Sequence, residues 1–109
     1  MADDVMVRLA QTITARRVAS GDRSYTRQLL DGGPEKCARK FGEEAIETVV
    51  AALAADPKAL AAEAADVIFH LLVLLEARGL AWSDVAQVLE ARAGTSGLEE
   101  KAARGTKAT

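Results

Sequence analysis

The stretch EEAIETVVAALAADPKALAAEAADVIFHLLVLL, residues 43–75, decides the fold of this chain. Two acidic pairs, Glu44-x-x-Glu47 and Glu63-x-x-Asp66, interrupt otherwise apolar helical sequence. Residues three positions apart share one face of a helix, so each pair presents two carboxylates on the same side. An antiparallel hairpin of two helices would bring the two pairs face to face.

Two long helices are predicted on either side of Asp56-Pro57. This dipeptide is a stop-and-restart signal in which Asp56 is the N-cap and Pro57 takes the first helical position. The earlier helix, third along the chain, should run from about Glu35 to Ala55. The later one, fourth along the chain, should run from about Lys58 to Arg78, where Gly79 closes it.

The acidic pairs predict a metal site. Four carboxylates gathered in one small core repel one another, and a divalent cation removes that repulsion. Hard, oxygen-only sites suit Mg²⁺ or Mn²⁺. Taken alone, Glu63 and Asp66 fit equally well a solvated strip near the helix start, where the dipole favours negative charge. The second pair on the neighbouring helix, Glu44 and Glu47, favours a cation held by all four residues.

Three shorter helices complete an all-α bundle of about four to five helices. The first should run from about Asp3 to Val18. Ser24 should cap a short second helix. The fifth should run from about Asp84 to Arg92, with Ser83 as its N-cap.

Length and composition limit the class of protein. The chain has 109 residues, enough for one domain, predicted at 1–93 and followed by a polar, mobile tail at 94–109. A net charge of −2 argues against a nucleic-acid partner. The single cysteine cannot form an internal disulfide, which fits a reducing cytoplasm. The longest apolar run, Val67–Leu75, is broken by His70 and is far shorter than the about 20 residues that cross a membrane. We expect a soluble cytoplasmic protein that needs neither nucleic acid nor membrane.

The fourth helix predicts self-association. Its apolar residues surround it on almost every side. A helix that is apolar all round must be buried all round, and so small a domain can hardly cover it alone. The third helix has a narrower apolar stripe of Ile46, Val49, Val50 and Leu53. We therefore predict a homodimer, or a higher oligomer, in which the fourth helix packs against a second subunit.

Two lysines lie on the acidic face of the third helix, upstream of Glu44. Lys36 and Lys40 are either ordinary surface partners at i,i+4 spacing, as Lys40 is to Glu44, or cations that receive phosphate oxygens beyond the metal. The first use is the commoner one. His70 is interpreted as a hydrogen-bonded core residue and Tyr25 as a packing residue with its hydroxyl at a polar edge.

The acidic pattern carries a resemblance to a known superfamily. Glu43-Glu44-Ala45-Ile46-Glu47, followed by Glu63-Ala64-Ala65-Asp66, resembles the EExxE…ExxD signature of the all-α, MazG-type nucleotide pyrophosphohydrolases. The flanking segments are similar to the phosphoribosyl-ATP pyrophosphatase family of histidine biosynthesis. These segments are SYTRQLL at 24–30, GPEK at 33–36, KFGEE at 40–44, FHLLVLL at 69–75 and SGLEEK at 96–101.

This resemblance implies a reaction and a set of site residues. The family hydrolyses the bond between the α and β phosphates of phosphoribosyl-ATP and releases phosphoribosyl-AMP and pyrophosphate. The family's metal positions correspond in this chain to Glu44, Glu47, Glu63 and Asp66. Each of these residues matches the family's signature. Glu43, or a ligand such as Glu44, would accept the proton of the attacking water. The basic residues are our own inference and not part of the resemblance: Lys36 and Lys40 would hold the triphosphate, and Lys101 or Arg104 would close over it from the tail.

Two other functions are compatible with these residues. One is a general MazG-type enzyme that clears non-canonical nucleoside triphosphates, against which the SYT and GPEK segments argue. The other is a non-enzymatic helical interaction module whose acidic residues are only surface charge. The interaction-module hypothesis predicts that Glu63→Gln would change little beyond local solubility.

Overall fold

The computed structural model describes residues 4–19, 21, 23–54, 56–93, 101 and 104. Five α-helices lie within this part of the chain, and no strand occurs there. They are α1 (Val5–Val18), α2 (Tyr25–Asp31), α3 (Gly33–Ala52), α4 (Pro57–Ala77) and α5 (Trp82–Arg92). The predicted all-α class is confirmed. None of these helices is long and apolar enough to cross a membrane.

The α3–α4 hairpin is the centre of the fold, because these two helices make the most extensive contact between described elements. The predicted cap at Asp56 is confirmed: its Oδ1 accepts a hydrogen bond from the Lys58 N–H at 3.0 Å. Before it, α3 ends at Ala52, earlier than predicted. The Leu53 N–H donates to Val50, three residues back, and this tighter turn stops the α-helical ladder.

The start of α5 differs from the prediction. Ser83 was expected to be its N-cap, and this is wrong, because the helix begins at Trp82 with Ala81 as the N-cap. The carboxylate of Asp84 reaches back and accepts a hydrogen bond from the Ala81 N–H at 2.9 Å. A side chain at the third helical position therefore satisfies a free backbone N–H at this end. At α2, by contrast, the predicted cap is confirmed, since Ser24 Oγ accepts from the Arg27 N–H at 3.1 Å.

The core lies where α1, α2, α3 and α4 meet. Its fully buried apolar residues are Ile13, Leu29, Cys37, Leu72 and Val73. The Cys37 thiol donates to the Leu29 carbonyl at 3.2 Å, and burial raises its pKa, so this cysteine is a packing residue. That contact also fixes how α2 and α3 lie against each other across the turn at Gly32.

Apolar surface remains exposed mainly on α3 rather than on α4. The α3 apolar stripe, Ile46, Val49, Val50 and Leu53, faces solvent, and Leu53 is 85% exposed. On α4, Ile68 is 38% exposed, while Leu72 and Val73 are buried within the chain. Helices α1, α2 and α3 of the same chain cover much of α4. The packing of α4 against a second subunit stays a prediction.

Of the predicted tail at 94–109, only Lys101 and Arg104 belong to the described part of the chain. Both are helical and exposed. The mobility expected for the rest of this segment concerns residues that lie outside the described ones.

Candidate metal centre

Three of the four predicted ligands converge between the two long helices. Glu44 comes from α3, and Glu63 and Asp66 come from α4. One carboxylate oxygen from each lies within 4.8 Å of the other two. The hairpin thus brings the acidic pairs face to face, as their spacing indicates. We call these three residues the carboxylate cluster.

The carboxyl group of Glu63 is the member of the cluster with the least favourable electrostatic environment. Its Oε1 is buried and has no hydrogen-bond partner among the described residues. Burial raises the pKa of Glu63, and repulsion from Glu47, Asp66 and Glu44 raises it further. A buried acceptor without a donor, surrounded by like charges, is unfavourable unless a cation or a proton arrives. The donor set is oxygen-only and fits Mg²⁺ or Mn²⁺.

Glu47, the fourth predicted ligand, stands slightly apart. It is exposed and does not belong to the triad whose oxygens lie within 4.8 Å of one another. Its carboxylate is nevertheless close enough for its negative charge to raise the pKa of Glu63. Its role as a ligand stays a prediction.

Thr48 is a site residue that the sequence reasoning missed. Its Oγ1 contacts two carbonyl oxygens, that of Glu44 at 2.9 Å in its own helix and that of Glu63 at 3.1 Å across the hairpin. The hydroxyl therefore joins the two helices at the level of the carboxylate cluster. The sequence does carry a signal that could have identified Thr48. It is a polar residue one turn after Glu44, between the acidic face and the apolar stripe of the helix.

His70 has the structural role that was predicted. It is buried, and its Nδ1 lies 2.9 Å from the carbonyl oxygen of Asp66, one turn earlier in α4. Its Nε2 lies 3.2 Å from the hydroxyl of Tyr25. The Tyr25 ring also stacks on Phe69, with 6.3 Å between ring centroids.

The predicted phosphate-binding cations occupy different environments. Lys40 forms an ion pair with Glu43 at 3.2 Å. The surface-partner interpretation assumed a pair with Glu44 instead. The hydrogen bond with Glu43 is the main reason why the pKa of Lys40 is raised. Lys36 is half-buried against the α2–α3 turn, where a Cβ on Gly32 would come within 2.3 Å of its Cδ. The approach of Lys101 and Arg104 to the cluster stays a prediction.

Comparison with known proteins identifies the family of the chain. The family model described as phosphoribosyl-ATP pyrophosphohydrolase matches residues 6–93, which include all five helices except Val5, the first residue of α1. The chain belongs to this family. The match spans α3 and α4, and therefore the whole carboxylate cluster.

Curated relatives of the chain carry the same name. A phosphoribosyl-ATP pyrophosphatase of Cereibacter sphaeroides is 56% identical over 101 residues, which cover 93% of this chain and 98% of the relative. Another, of Nitrobacter hamburgensis, is 58% identical over 96 residues, 88% of this chain and 90% of the relative. A phosphoribosyl-ATP pyrophosphatase 1 of Bradyrhizobium diazoefficiens is 57% identical, covering 88% and 91%.

The raised pKa of Glu63 predicts a pH-dependent stability of the metal-free protein. A carboxyl whose pKa is higher in the folded state favours folding below its unfolded pKa, about 4.5, and this contribution is lost as the pH rises through the folded value. Glu63→Gln removes the charge and should abolish that loss. In urea unfolding with EDTA, the variant should become more stable than the wild type as the pH rises from 4.5 to 7.5.

Glu90→Gln, on the exposed surface of α5, is the matched control and should follow the wild type at every pH. Parallel curves for the wild type and Glu63→Gln over this whole range would show that Glu63 is not electrostatically strained.

Proposed function

We propose that this member of the phosphoribosyl-ATP pyrophosphohydrolase family hydrolyses phosphoribosyl-ATP to phosphoribosyl-AMP and pyrophosphate, as a cytoplasmic step of histidine biosynthesis. The observation that carries the proposal is the carboxylate cluster with the unpaired, buried Glu63 Oε1. The names of the curated relatives support the choice of substrate. The cofactor in this proposal is Mg²⁺, for which Mn²⁺ can substitute.

The carboxylate cluster would hold the cation, with Glu47 as a fourth ligand from the edge of the site. When bound, the cation supplies a Lewis acid that offsets the charge of the triphosphate and polarises a water molecule. The chain's own contribution is the placement of the ligands. His70 contacts the backbone carbonyl oxygen of Asp66, and the Thr48 hydroxyl contacts the carbonyl oxygens of Glu44 and Glu63. These contacts fix the backbone that carries the three proposed ligands.

A carboxylate beside the cluster accepts the proton of the attacking water. Glu43 and Glu44 are the two candidates. Glu43 is exposed and paired with Lys40, so a triphosphate that draws Lys40 away would leave Glu43 free to act as a base. Glu44 lies within the cluster, where its oxygen is needed as a ligand. Lys36, Lys101 and Arg104 are proposed as further phosphate contacts.

Measuring pyrophosphate release from phosphoribosyl-ATP tests this proposal. The wild type should release pyrophosphate only with Mg²⁺ or Mn²⁺. Glu63→Gln and Asp66→Asn should each lower kcat/KM by at least about 100-fold, because they remove ligands from the cation. Circular dichroism should show both variants folded, and Glu90→Gln should retain wild-type turnover.

The same assay separates the alternatives. Turnover of dCTP, dUTP or an oxidised nucleotide tenfold better in kcat/KM than phosphoribosyl-ATP, about 1.4 kcal/mol of discrimination, would assign the site to a house-cleaning enzyme. Wild-type rates in Glu63→Gln would contradict the metal site itself.

The homodimer remains part of the proposal, with its contact moved to α3. The α3 apolar stripe follows i, i+3, i+4 and i+7 spacing along one face, and each of its four aliphatic side chains is at least 58% exposed. Monomeric proteins rarely leave such a continuous apolar surface uncovered. A second copy offers an identical stripe, and two stripes can pack against each other about a two-fold axis.

A glutamate in the stripe should split this dimer. Val50→Glu would bury two charges at a two-fold contact, so light scattering should give the mass of one chain where the wild type gives two. Val88→Glu, on an exposed position of α5, is the matched control and should stay dimeric. A wild-type monomer at micromolar concentration would contradict the proposed dimer.

A further inference from the structure

The hydroxyl of Thr48 contacts the backbone on both sides of the carboxylate cluster. Thr48 is half-buried in α3, and its Oγ1 lies 2.9 Å from the Glu44 carbonyl oxygen and 3.1 Å from that of Glu63. Glu44 and Glu63 are the two half-buried members of the cluster, and they belong to opposite helices of the hairpin. The hydroxyl therefore lies between the backbones of two proposed ligands.

The two contacts of this hydroxyl are not equivalent. A carbonyl oxygen can only accept and the hydroxyl has a single proton, so both carbonyls compete for the same donor. The contact with Glu44, four residues back, is the ordinary back-bond of a helical threonine and does not depend on α4. The contact with Glu63 exists only at the present separation of α3 and α4. Thr48 is thus a distance-sensitive tie across the hairpin.

The separation of α3 and α4 matters because the proposed ligands come from both helices. Oxygen ligands lie about 2.0–2.1 Å from Mg²⁺ and about 2.3–2.6 Å from Ca²⁺, so ligands on opposite sides must part by roughly 0.5–1 Å to admit the larger ion. That movement would stretch the 3.1 Å contact between Thr48 and Glu63 to about 3.6 Å or more, which is no longer a hydrogen bond. The partial burial of Glu44 and Glu63 limits how far their side chains can adjust instead.

We infer that Thr48 is a positioning residue that sets the cation preference of the site. Its tie to the Glu63 carbonyl holds the two helices at the separation that suits a small cation such as Mg²⁺, and it opposes the wider separation that Ca²⁺ needs. Thr48 acts through the backbone of Glu63 and is not itself a ligand. Because it takes the carboxylate cluster to hold a cation, this inference rests on the proposed function.

Cation competition on the whole chain tests the inference without turnover. Mn²⁺ is bound first, which is followed by the loss of its electron paramagnetic resonance signal, and is then displaced by Mg²⁺ or by Ca²⁺. The quantity compared is the ratio of the dissociation constants of Ca²⁺ and Mg²⁺. Thr48→Val, which replaces the hydroxyl by a methyl group, should lower this ratio about five- to tenfold, because the hydrogen bond that opposes separation is lost. Thr48→Ser keeps the hydroxyl and should stay within about twofold of the wild type.

Thr12→Val is the matched control for the loss of a back-bond. Thr12 Oγ1 donates to the Arg8 carbonyl, four residues back in α1, at 3.0 Å, and its side chain is exposed. This variant should keep the wild-type ratio of dissociation constants, whatever it does to the melting temperature. Thr48→Ala removes the hydroxyl without the bulk of valine and should lower the ratio as Thr48→Val does. An unchanged ratio in both Thr48 variants, or an equal change in Thr12→Val, would overturn the inference.

Pyrophosphate release by the same preparations separates this inference from the proposed function. A wild type that shows the predicted ratios but does not hydrolyse phosphoribosyl-ATP would refute the proposed substrate and support the role of Thr48. Hydrolysis by the wild type, with ratios that do not respond to the removal of the hydroxyl, would refute the role of Thr48 alone. A wild type that does not bind Mn²⁺ would refute the cation site and this inference together.

Discussion

The burial of one carboxyl oxygen of Glu63, Oε1, among like charges is the constraint on which the rest of this structure depends. An unpaired buried acceptor next to other carboxylates opposes folding unless something positive occupies the space between them. This unfavourable contribution to the folding free energy is confined to one point of the α3–α4 hairpin. Burial of the apolar core elsewhere in the chain offsets it. A site that is unfavourable when empty is well suited to bind a cation, because binding removes the repulsion.

Much of the surrounding structure keeps the carboxylate cluster at one level. The Asp56 cap sets where α4 begins, and thereby which turn of α4 carries Glu63 and Asp66. Thr48 joins the two helices beside these residues, and His70 contacts the carbonyl of Asp66 from the next turn. Each of these contacts is a single hydrogen bond. Together they limit the freedom of the three carboxylate residues, which would reduce the ordering cost of binding a cation there.

Local sequence signals were sufficient for the order of the five helices and for the three residues of the carboxylate cluster. Asp56-Pro57 and Ser24 determine helix starts through contacts within three residues, so both could be predicted. The acidic pairs could be placed face to face because a short connection forces neighbouring helices to be antiparallel. Ser83 was chosen wrongly because Asp84, one residue later, competes for the same helix end. Preference for a residue type cannot decide between two adjacent candidates.

Contacts between distant parts of the chain could not be predicted in the same way. The Thr48 hydroxyl reaches a carbonyl fifteen residues away, and the Tyr25–His70 bond spans forty-five residues. Neither follows from periodicity. The apolar stripe of α3 was visible in the sequence, but its exposure depends on which face α4 covers. Which of two apolar helices keeps an apolar face exposed is therefore decided by packing, not by hydrophobicity alone.

Calorimetric titration of the metal-free protein with Mn²⁺, in buffers of different ionisation enthalpy, tests the central claim most directly. A carboxyl with a raised pKa must lose its proton when the cation binds. We predict saturable binding with proton release that grows as the pH is lowered from 7 to 5, and that disappears in Glu63→Gln. The absence of saturable binding, or binding whose proton release is the same in both proteins, would contradict a cation site built around Glu63.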